Sequence, residues 1–293
     1  HLDALEKLGA KIELKNGYIE ATSKKLIGCE INFPGVSVTG TENIMMAAVL
    51  AKGQTVLRNV AKEPEVEDLA NFLNSMGAKI IGAGTDEIVI DGVENLDGTE
   101  FSIPADRIEA GTYLIAAAIT GGDVTISNVQ APRMNNILDK LKLSGASIIV
   151  RDDTIQLVME NDSILPVDIS TAPFPGFPTD MQAQFTVLNA LSEGSSVVTE
   201  NVFENRFMHV QELNRMGCDI TVKGSNAFIK GVNALNGAPV MATDLRASAS
   251  LILAGLCANG ETIVDRIYHI DRGYERIEEK LSYLGADITR LPN

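Results

Sequence analysis

Residues 171–185, with the sequence TAPFPGFPTDMQAQF, hold the side chains best suited to chemistry. Three prolines and a glycine predict an extended approach, after which Thr179, Asp180 and Gln182 follow the pattern of a helix start. A carboxylate in this position has two possible roles. It can cap the helix by accepting hydrogen bonds from backbone amides, or it can serve as a general base held at one point. The spacing alone favours the cap.

Three arginines, Arg206, Arg246 and Arg272, are candidate ligands for an anionic substrate. Arg246 lies two residues into a predicted helix, where a cation opposes the helix dipole and an anion is needed to offset it. Arg272 lies in a predicted turn before Gly273. A lone arginine is more often a solvated surface residue or a salt-bridge partner. The residue types alone therefore leave both interpretations open.

Four segments carry a resemblance that covers the whole chain: residues 171–185, FENRFMHV at 203–210, DLRASASLILAG at 244–255 and YHIDRGYERIE at 268–278. In this order they resemble the UDP-N-acetylglucosamine enolpyruvyl transferase family. The resemblance implies transfer of the enolpyruvyl group of phosphoenolpyruvate to the 3-hydroxyl of UDP-N-acetylglucosamine, with release of phosphate and with no metal or cofactor. This reaction is the first committed step of peptidoglycan synthesis, and it implies a cytoplasmic enzyme.

The resemblance also assigns roles to individual residues. It implies that Asp180 accepts the proton of the sugar hydroxyl, and that the three arginines bind the phosphate and carboxylate of phosphoenolpyruvate. Contacts to the nucleotide sugar are implied for five further residues: Gly35, Val36, Ser37, Val38 and Val202. Some members of the family have lysine where this chain has Gly35, so no cationic contact to the diphosphate is expected at that position.

Four predicted helices consist of small and apolar residues, and each begins after a polar residue. The predicted caps are residues 38–41, Asp106, residues 179–180 and Asp244. If the four helices are oriented alike, their positive ends meet at one face of each lobe. Such a face suits phosphates and carboxylates.

Internal repeats organise the chain. A helix that ends in glycine and precedes two short strands recurs with a period of about 70 residues, at Gly9, Gly77, Gly145, Gly217 and Gly285. It alternates with the apolar helices, which predicts an α/β fold of repeated βαβαββ units. The resemblance implies that these units form an inside-out α/β barrel with two lobes. We expect residues 1–104 to be a partial first lobe of about two repeats, ending in a strand at 101–103, and residues 105–293 to be a second lobe of three repeats.

Composition narrows the classes of partner. A net charge of −15 argues against nucleic acid and anionic membranes, and the sequence has no apolar run long enough to span a bilayer. Cys29, Cys218 and Cys257 lack metal-binding or disulfide spacing, so we expect core residues. His209 and His269 show no metal-ligand spacing and are expected to be structural.

The resemblance further implies that the family's reactive cysteine lies in a segment that precedes residue 1. We therefore expect the 293-residue chain to be inactive alone, and that segment to be a possible separate chain. Two alternatives stay open. One is transfer to shikimate 3-phosphate, against which the FPTDMQAQF and FENRFMHV strings argue. The other is a non-catalytic protein that binds nucleotide sugars.

Overall fold

The computed structural model describes residues 1–160 and 163–291. The chain divides into two compact units, one of His1–Pro104 with Pro173–Pro175 and one of Ala105–Ala172 with Gly176–Asn293. Both units combine helices with small sheets, which confirms the predicted α/β class. Within the described ranges, every helix is too short or too polar to cross a bilayer.

The first unit has its own hydrophobic core, built from three helices and a four-stranded sheet. Its helices are α1 (Leu2–Lys7), α2 (Val38–Val49) and α3 (Pro64–Ser75). Its strands are β1 (Lys11–Lys15), β2 (Tyr18–Thr22), β3 (Glu30–Asn32), β4 (Gln54–Arg58), β5 (Lys79–Ile81) and β6 (Glu87–Asp91). Strands β1 and β2 form an antiparallel hairpin, and the other four form a sheet in the order β3-β4-β6-β5.

The second unit has a larger core around three buried helices. Its helices are α4 (Arg107–Ile119), α5 (Asn135–Leu143), α6 (Gln182–Ala190), α7 (His209–Arg215), α8 (Leu245–Cys257) and α9 (Ile277–Tyr283). Its first strands are β7 (Asp123–Ile126), β8 (Ser147–Arg151), β9 (Thr154–Val158), β10 (Ile169–Ser170) and β11 (Ser195–Thr199). The remaining strands are β12 (Asp219–Lys223), β13 (Asn226–Lys230), β14 (Leu235–Asn236), β15 (Pro239–Met241), β16 (Ala258–Asn259) and β17 (Ile263–Asp265).

The repeated βαβαββ unit appears twice in full. In the first unit the order is β3-α2-β4-α3-β5-β6, and in the second it is β10-α6-β11-α7-β12-β13. Both sheets have the same pairing: the first two strands are parallel, and the last two form an antiparallel hairpin beside the second strand. A third sheet, β7-β9-β8, has the hairpin and one further strand. The sequence period therefore reflects a real structural repeat.

Each repeat glycine ends its helix in the left-handed conformation. Gly9 and Gly77, with φ of 95° and 98°, show the arrangement. The amide of Gly77 donates to the carbonyl of Asn74, and the next amide, of Ala78, donates to that of Leu73. This is the Schellman arrangement, in which glycine is favoured because it lacks the Cβ that would clash. The predicted C-terminal glycines are confirmed.

Two segments of the chain differ from the sequence predictions. No strand forms at residues 101–103. The proline-rich segment before α6 is not extended, because it folds back so that the amide of Ala172 donates to the carbonyl of Phe177 at 2.9 Å. Prolines restrict φ but do not forbid turns. The segment then enters a 3₁₀ turn, Thr179–Met181, that leads directly into α6.

The apolar helices of the second unit are buried as predicted. Every residue of α4 except Glu109 is buried, and so is all of α6. In the first unit, α2 buries only one face, and Met46 on its other face is half exposed. The apolar pattern therefore predicted full burial correctly for α4 and α6 of the second unit, but not for α2 of the first unit.

Candidate active site

Of the four predicted helix caps, Asp106 and Asp244 in the second unit are present. The predictions for residues 38–41 and for residues 179–180 are wrong. Asp106 accepts from the amides of Ile108 and Glu109, and Asp244 accepts from those of Arg246 and Ala247. In the first unit the cap of α2 is Ser37, whose hydroxyl accepts from Gly40, rather than a residue of 38–41.

At the start of α6, neither Thr179 nor Asp180 caps the helix. Among the described residues, no side chain accepts a hydrogen bond from the first amides of the 3₁₀ turn or of α6. The physical reason is the turn itself, which makes Met181 the residue that precedes α6. The side chains of Thr179 and Asp180 are engaged instead with Arg206.

The carboxylate of Asp180 joins two arginines. Its Oδ1 accepts from Nη2 of Arg206 at 2.7 Å, and its Oδ2 accepts from Nη2 of Arg246 at 2.9 Å. The Asp180 side chain is 38% exposed, whereas those of Arg206 and Arg246 are 16% and 11% exposed. Charge-assisted hydrogen bonds of this kind are among the stronger ones in proteins. The anion that Arg246 needs at a helix start is thus supplied by the protein itself.

This pairing changes the acidity of Asp180. Burial alone would raise the pKa of the carboxyl group, but the guanidinium groups of Arg246 and Arg206 outweigh burial and lower its pKa. The side chain is therefore ionised at neutral pH. It is also a weak proton acceptor as long as both arginines stay in contact with it.

A buried polar cluster holds Arg246 in place. Its Nη1 donates to the hydroxyl of Tyr274 at 3.3 Å, and its guanidinium lies 5.7 Å from the centre of the Tyr274 ring. The Tyr274 hydroxyl is 2.8 Å from that of Thr112 in α4 and accepts from the amide of Gln184 in α6. The N-terminal parts of α4, α6 and α8 therefore meet at one end of the second unit, as the recurring helix starts predicted.

The sequence did not single out Tyr274, Thr112 or Gln184. Tyr274 lies in the YHIDRGYERIE string, but a tyrosine in a motif gives no sign that it will be buried against an arginine. The hydrogen bonds of this cluster join residues as far as 162 positions apart in the chain. Only the tertiary fold brings them together.

Arg272 differs from the other two arginines. It ends a 3₁₀ helix, Ile267–Arg272, two residues before Tyr274, and it is exposed. Within the described part of the chain it forms no hydrogen bond or ion pair. The structure therefore brings Arg206 and Arg246 to Asp180 but leaves Arg272 as an unengaged cation in the segment that carries Tyr274.

If Arg272 binds phosphoenolpyruvate, as the resemblance implies, Arg272→Ala should weaken that binding by about tenfold, since a charge-assisted contact to the ligand is lost. The free energy of unfolding should change by less than about 0.5 kcal/mol, because the side chain supports nothing in the fold. Calorimetric titration and thermal unfolding measure the two effects. Arg151→Ala, at an exposed position at the end of β8, is the matched control. Equal affinities of the Arg272→Ala variant and the unaltered chain would remove Arg272 from the site.

The loop after β11 carries Val202 and Arg206. The amide of Val202 donates to the carboxylate of Glu200 at 2.8 Å, and the residue is 42% exposed. Residues 200–208 border a cavity of about 850 Å³, which Gln211, Asn214 and Ser225 also line. The amide of Val202 is thus already engaged, so a substrate contact there would involve its carbonyl or its side chain.

In the first unit, the predicted loop of Gly35, Val36, Ser37 and Val38 lies at the start of α2. Gly35 and Val36 are exposed, and Ser37 and Val38 are partly buried. The Ser37 oxygen accepts from the amide of Gly40 at 3.1 Å. Its hydroxyl proton stays free to donate, and the N-terminus of a twelve-residue helix is a favourable place for an anion.

The cysteines and His209 are not suited to acid–base work. Burial raises the pKa of Cys218 to about 12 and that of Cys257 to about 11, and it also raises the pKa of Cys29. Burial lowers the pKa of His209 to about 4, so this side chain is neutral at pH 7. Across residues 1–160 and 163–291, no group of three or more His, Cys, Asp or Glu side chains is arranged to hold a metal ion.

Comparison with known proteins gives the class first. The family model of EPSP synthase (3-phosphoshikimate 1-carboxyvinyltransferase) matches residues 1–281. The enolpyruvyl transferase NikO of Streptomyces tendae superposes with a TM-score of 0.88 at 26% identity, covering 98% of this chain and 71% of its own. EPSP synthase of Acinetobacter baumannii shares the fold, with a TM-score of 0.76 at 21% identity over 97% of this chain and 70% of its own. The chain belongs to the enolpyruvyl transferase family.

Sequence relatives then give the branch. The UDP-N-acetylglucosamine 1-carboxyvinyltransferase of Hydrogenovibrio crunogenus is 60% identical over 290 residues, which cover 99% of this chain and 69% of that protein. The protein of the same name from Coxiella burnetii is 60% identical over 292 residues, covering 99% of this chain and 67% of the relative. Within the family, the chain therefore groups with the UDP-N-acetylglucosamine 1-carboxyvinyltransferases, which confirms the resemblance found in the sequence.

Proposed function

We propose that this protein transfers the enolpyruvyl group of phosphoenolpyruvate to the 3-hydroxyl of UDP-N-acetylglucosamine and releases phosphate. The observation that carries the proposal is the carboxylate of Asp180 held between Arg206 and Arg246, in a chain 60% identical to proteins named for this reaction. A base and a pair of cations are what an addition to phosphoenolpyruvate requires, because the hydroxyl must lose a proton and the intermediate is rich in negative charge.

The arginines bind the anionic substrate in this scheme. A planar guanidinium presents paired donors that fit a phosphate or a carboxylate. Arg206 and Arg246 each already donate from one nitrogen, Nη2, to Asp180, and Arg272 is the third proposed ligand. Phosphoenolpyruvate carries one phosphate and one carboxylate, so the three cations can hold both groups and stabilise the charge that develops in the intermediate.

Asp180 gains basicity when phosphoenolpyruvate replaces its carboxylate as the anion bound to Arg206 and Arg246. Phosphoenolpyruvate takes over the guanidinium groups that Asp180 holds in the free protein. The carboxylate then keeps its burial and loses the two cations that lower its pKa. Since burial is the largest influence on this group and acts to raise the pKa, Asp180 becomes a better base once the substrate is bound. Binding of the donor substrate thus prepares the base for the acceptor hydroxyl.

The nucleotide sugar is assigned to Val202 and to the loop of residues 35–38. The helix start at α2 and the free hydroxyl proton of Ser37 support diphosphate binding at that loop.

We further propose that the repeated units form inside-out barrels in two lobes, residues 1–104 and 105–293. We also propose that the enzyme works in the cytoplasm without nucleic acid or membrane partners.

We assign the proton for the methylene carbon to none of Cys29, Cys218 and Cys257, because none of them lies in a motif that resembles the family's cysteine loop. Burial raises the pKa of all three thiols and so makes each a weak acid. The resemblance assigns the proton to a cysteine loop upstream of the four motifs, in the same polypeptide or in a second chain. We therefore expect the 293-residue chain to bind both substrates but to release no phosphate by itself.

The test is phosphate release from phosphoenolpyruvate in the presence of UDP-N-acetylglucosamine, with and without the N-terminal segment of a relative added. We expect turnover only with the segment, and a product whose mass equals that of the nucleotide sugar plus the enolpyruvyl group. Shikimate 3-phosphate in place of the nucleotide sugar is the control acceptor and should give no product. Product from shikimate 3-phosphate, or binding without turnover under every condition, would overturn the proposal.

A further inference from the structure

The carboxylate of Glu200 is a buried group that no step above uses. Glu200 directly follows β11, and it is 5% exposed. Its Oε1 accepts from the hydroxyl of Thr171 at 2.7 Å and from the amides of Val202 and Phe203 at 2.8 and 2.9 Å. Its Oε2 accepts from the hydroxyl of Thr179 at 2.8 Å. A buried carboxylate is costly unless it is paired or hydrogen-bonded, and this one has four donors.

The hydrogen bonds from Glu200 lead through Thr179 to Arg206. Thr179 has a single hydroxyl proton, and it donates that proton to Glu200 because an ionised carboxylate can only accept. The lone pairs of the same oxygen are then left to accept from Nη1 of Arg206 at 2.7 Å. A guanidinium can only donate, so the donor and the acceptor are fixed in both hydrogen bonds, from Arg206 to Thr179 and from Thr179 to Glu200.

The same carboxylate shapes the loop beside Arg206. By accepting from the amides of Val202 and Phe203, it closes a tight turn immediately after β11. The turn places the ring of Phe203 5.2 Å from the guanidinium carbon of Arg206, a distance at which a cation and an aromatic face attract each other. Glu200 therefore constrains Arg206 from two sides, through a hydroxyl and through an aromatic ring.

We propose that Glu200 is a positioning residue of the active site: through Thr179 and the turn at 202–203, it fixes the guanidinium of Arg206 for the anionic substrate. The inference rests on the proposed function, since it names the group that aims one of its arginines. The charge is essential to the role. A glutamine has an amide that donates, and an amide directed at Thr179 would compete with Arg206 for the same oxygen.

The experiment compares Glu200→Gln, Thr179→Val and Thr179→Ser with the unaltered chain. Calorimetry gives the Kd for phosphoenolpyruvate and for UDP-N-acetylglucosamine, and thermal unfolding gives Tm. We expect Glu200→Gln and Thr179→Val each to raise the Kd for phosphoenolpyruvate by about tenfold, the usual effect of losing a hydrogen bond to a charged group. Thr179→Ser keeps the hydroxyl and should retain the affinity of the unaltered chain.

The double variant Glu200→Gln/Thr179→Val tests the route of the effect. If Glu200 acts on Arg206 through Thr179, the double variant should bind phosphoenolpyruvate about as weakly as the weaker single variant. Thr171→Val is the matched control, because it removes another donor to Glu200 that makes no contact with Arg206. It should lower Tm and leave the Kd for phosphoenolpyruvate within about twofold.

Turnover, measured with the N-terminal segment of a relative added, gives a second readout, which should not change if Glu200 has a purely structural role. We expect Glu200→Gln to raise KM for phosphoenolpyruvate more than it lowers kcat. If Glu200→Gln binds phosphoenolpyruvate normally while Tm falls, the inference is wrong and the proposed function stands. If the unaltered chain binds neither substrate, the proposed function itself fails. Should Glu200→Gln not fold, the Thr179→Val and Thr179→Ser pair decides the question.

Discussion

Replacing Asp180 by asparagine should lower kcat by about 10²–10⁴-fold, the range typical of a lost general base, while it tightens the binding of phosphoenolpyruvate. The second effect follows from the ion pairs. In the unaltered protein the substrate must displace the carboxylate from Arg206 and Arg246. An amide competes weakly for these cations, so the substrate meets two free guanidinium groups. Phosphate release, measured with the N-terminal segment of a relative added, gives kcat, and calorimetry gives the Kd.

The same variant makes a pH-dependent prediction about stability. Because the pKa of Asp180 is lowered in the folded state, its carboxylate stabilises the fold above the unfolded pKa of about 3.9, and this contribution is lost as the pH falls through the folded pKa. Asp180→Asn should therefore lower Tm at pH 7, and the difference from the unaltered protein should shrink below about pH 4.

Asp123→Asn is the matched control for this variant, since it removes an exposed carboxylate that accepts from Gln156 on a neighbouring strand. It should leave kcat and the Kd for phosphoenolpyruvate unchanged. If Asp180→Asn kept its kcat, or weakened the binding of phosphoenolpyruvate, Asp180 would be neither the base nor the internal competitor for the arginines.

Replacing Arg246 by methionine should lower kcat/KM for phosphoenolpyruvate by about 10²–10³-fold, the loss expected when one donor to a developing negative charge is removed. Methionine keeps much of the length and apolar volume of the side chain, so packing on Tyr274 is disturbed little. The pKa of Asp180 should rise, because Arg246 is the strongest of the charges that lower it. Steady-state kinetics with the N-terminal segment added and an NMR titration of the aspartate carboxyl carbons measure these effects.

Arg246→Lys separates charge from shape. It keeps the cation but cannot donate to Asp180 and Tyr274 from two nitrogens at once. We expect it to raise KM for phosphoenolpyruvate with a smaller loss in kcat. Arg215→Met, in a partly exposed ion pair with Glu212 on α7, should have little effect. Equal kinetics for Arg246→Met and Arg215→Met would contradict the role proposed for Arg246.

Local sequence rules predicted the features that depend on neighbouring residues. The repeat glycines end their helices in the left-handed conformation, and Asp106 and Asp244 cap α4 and α8. Each of these outcomes involves atoms within a few positions of one another, so residue type and spacing determine it. The apolar helices of the second unit follow the same rule, because a helix without a polar face must be buried.

Pairings over long distances could not be predicted in this way. Asp180 had the spacing of a cap, but it pairs with arginines 26 and 66 positions away, and these cations compete successfully for its oxygens. Glu200 stands in no pattern that distinguishes it from a surface glutamate. Its role depends on Thr171 and Thr179, 29 and 21 positions earlier in the chain. The resemblance predicted site roles for Asp180 and the three arginines, but it predicted none for Glu200 or Tyr274.

The occupied arginine pair sets a condition for designing inhibitors of this site. An anionic compound must exchange with Asp180, so part of its interaction energy with the cations only replaces an interaction already present. A compound that also carries a hydrogen-bond donor directed at the displaced carboxylate would recover some of that loss. Zwitterionic compounds, with the cationic end towards Asp180 and the anionic end towards Arg206 and Arg246, should therefore be more ligand-efficient here than simple phosphate or carboxylate mimics.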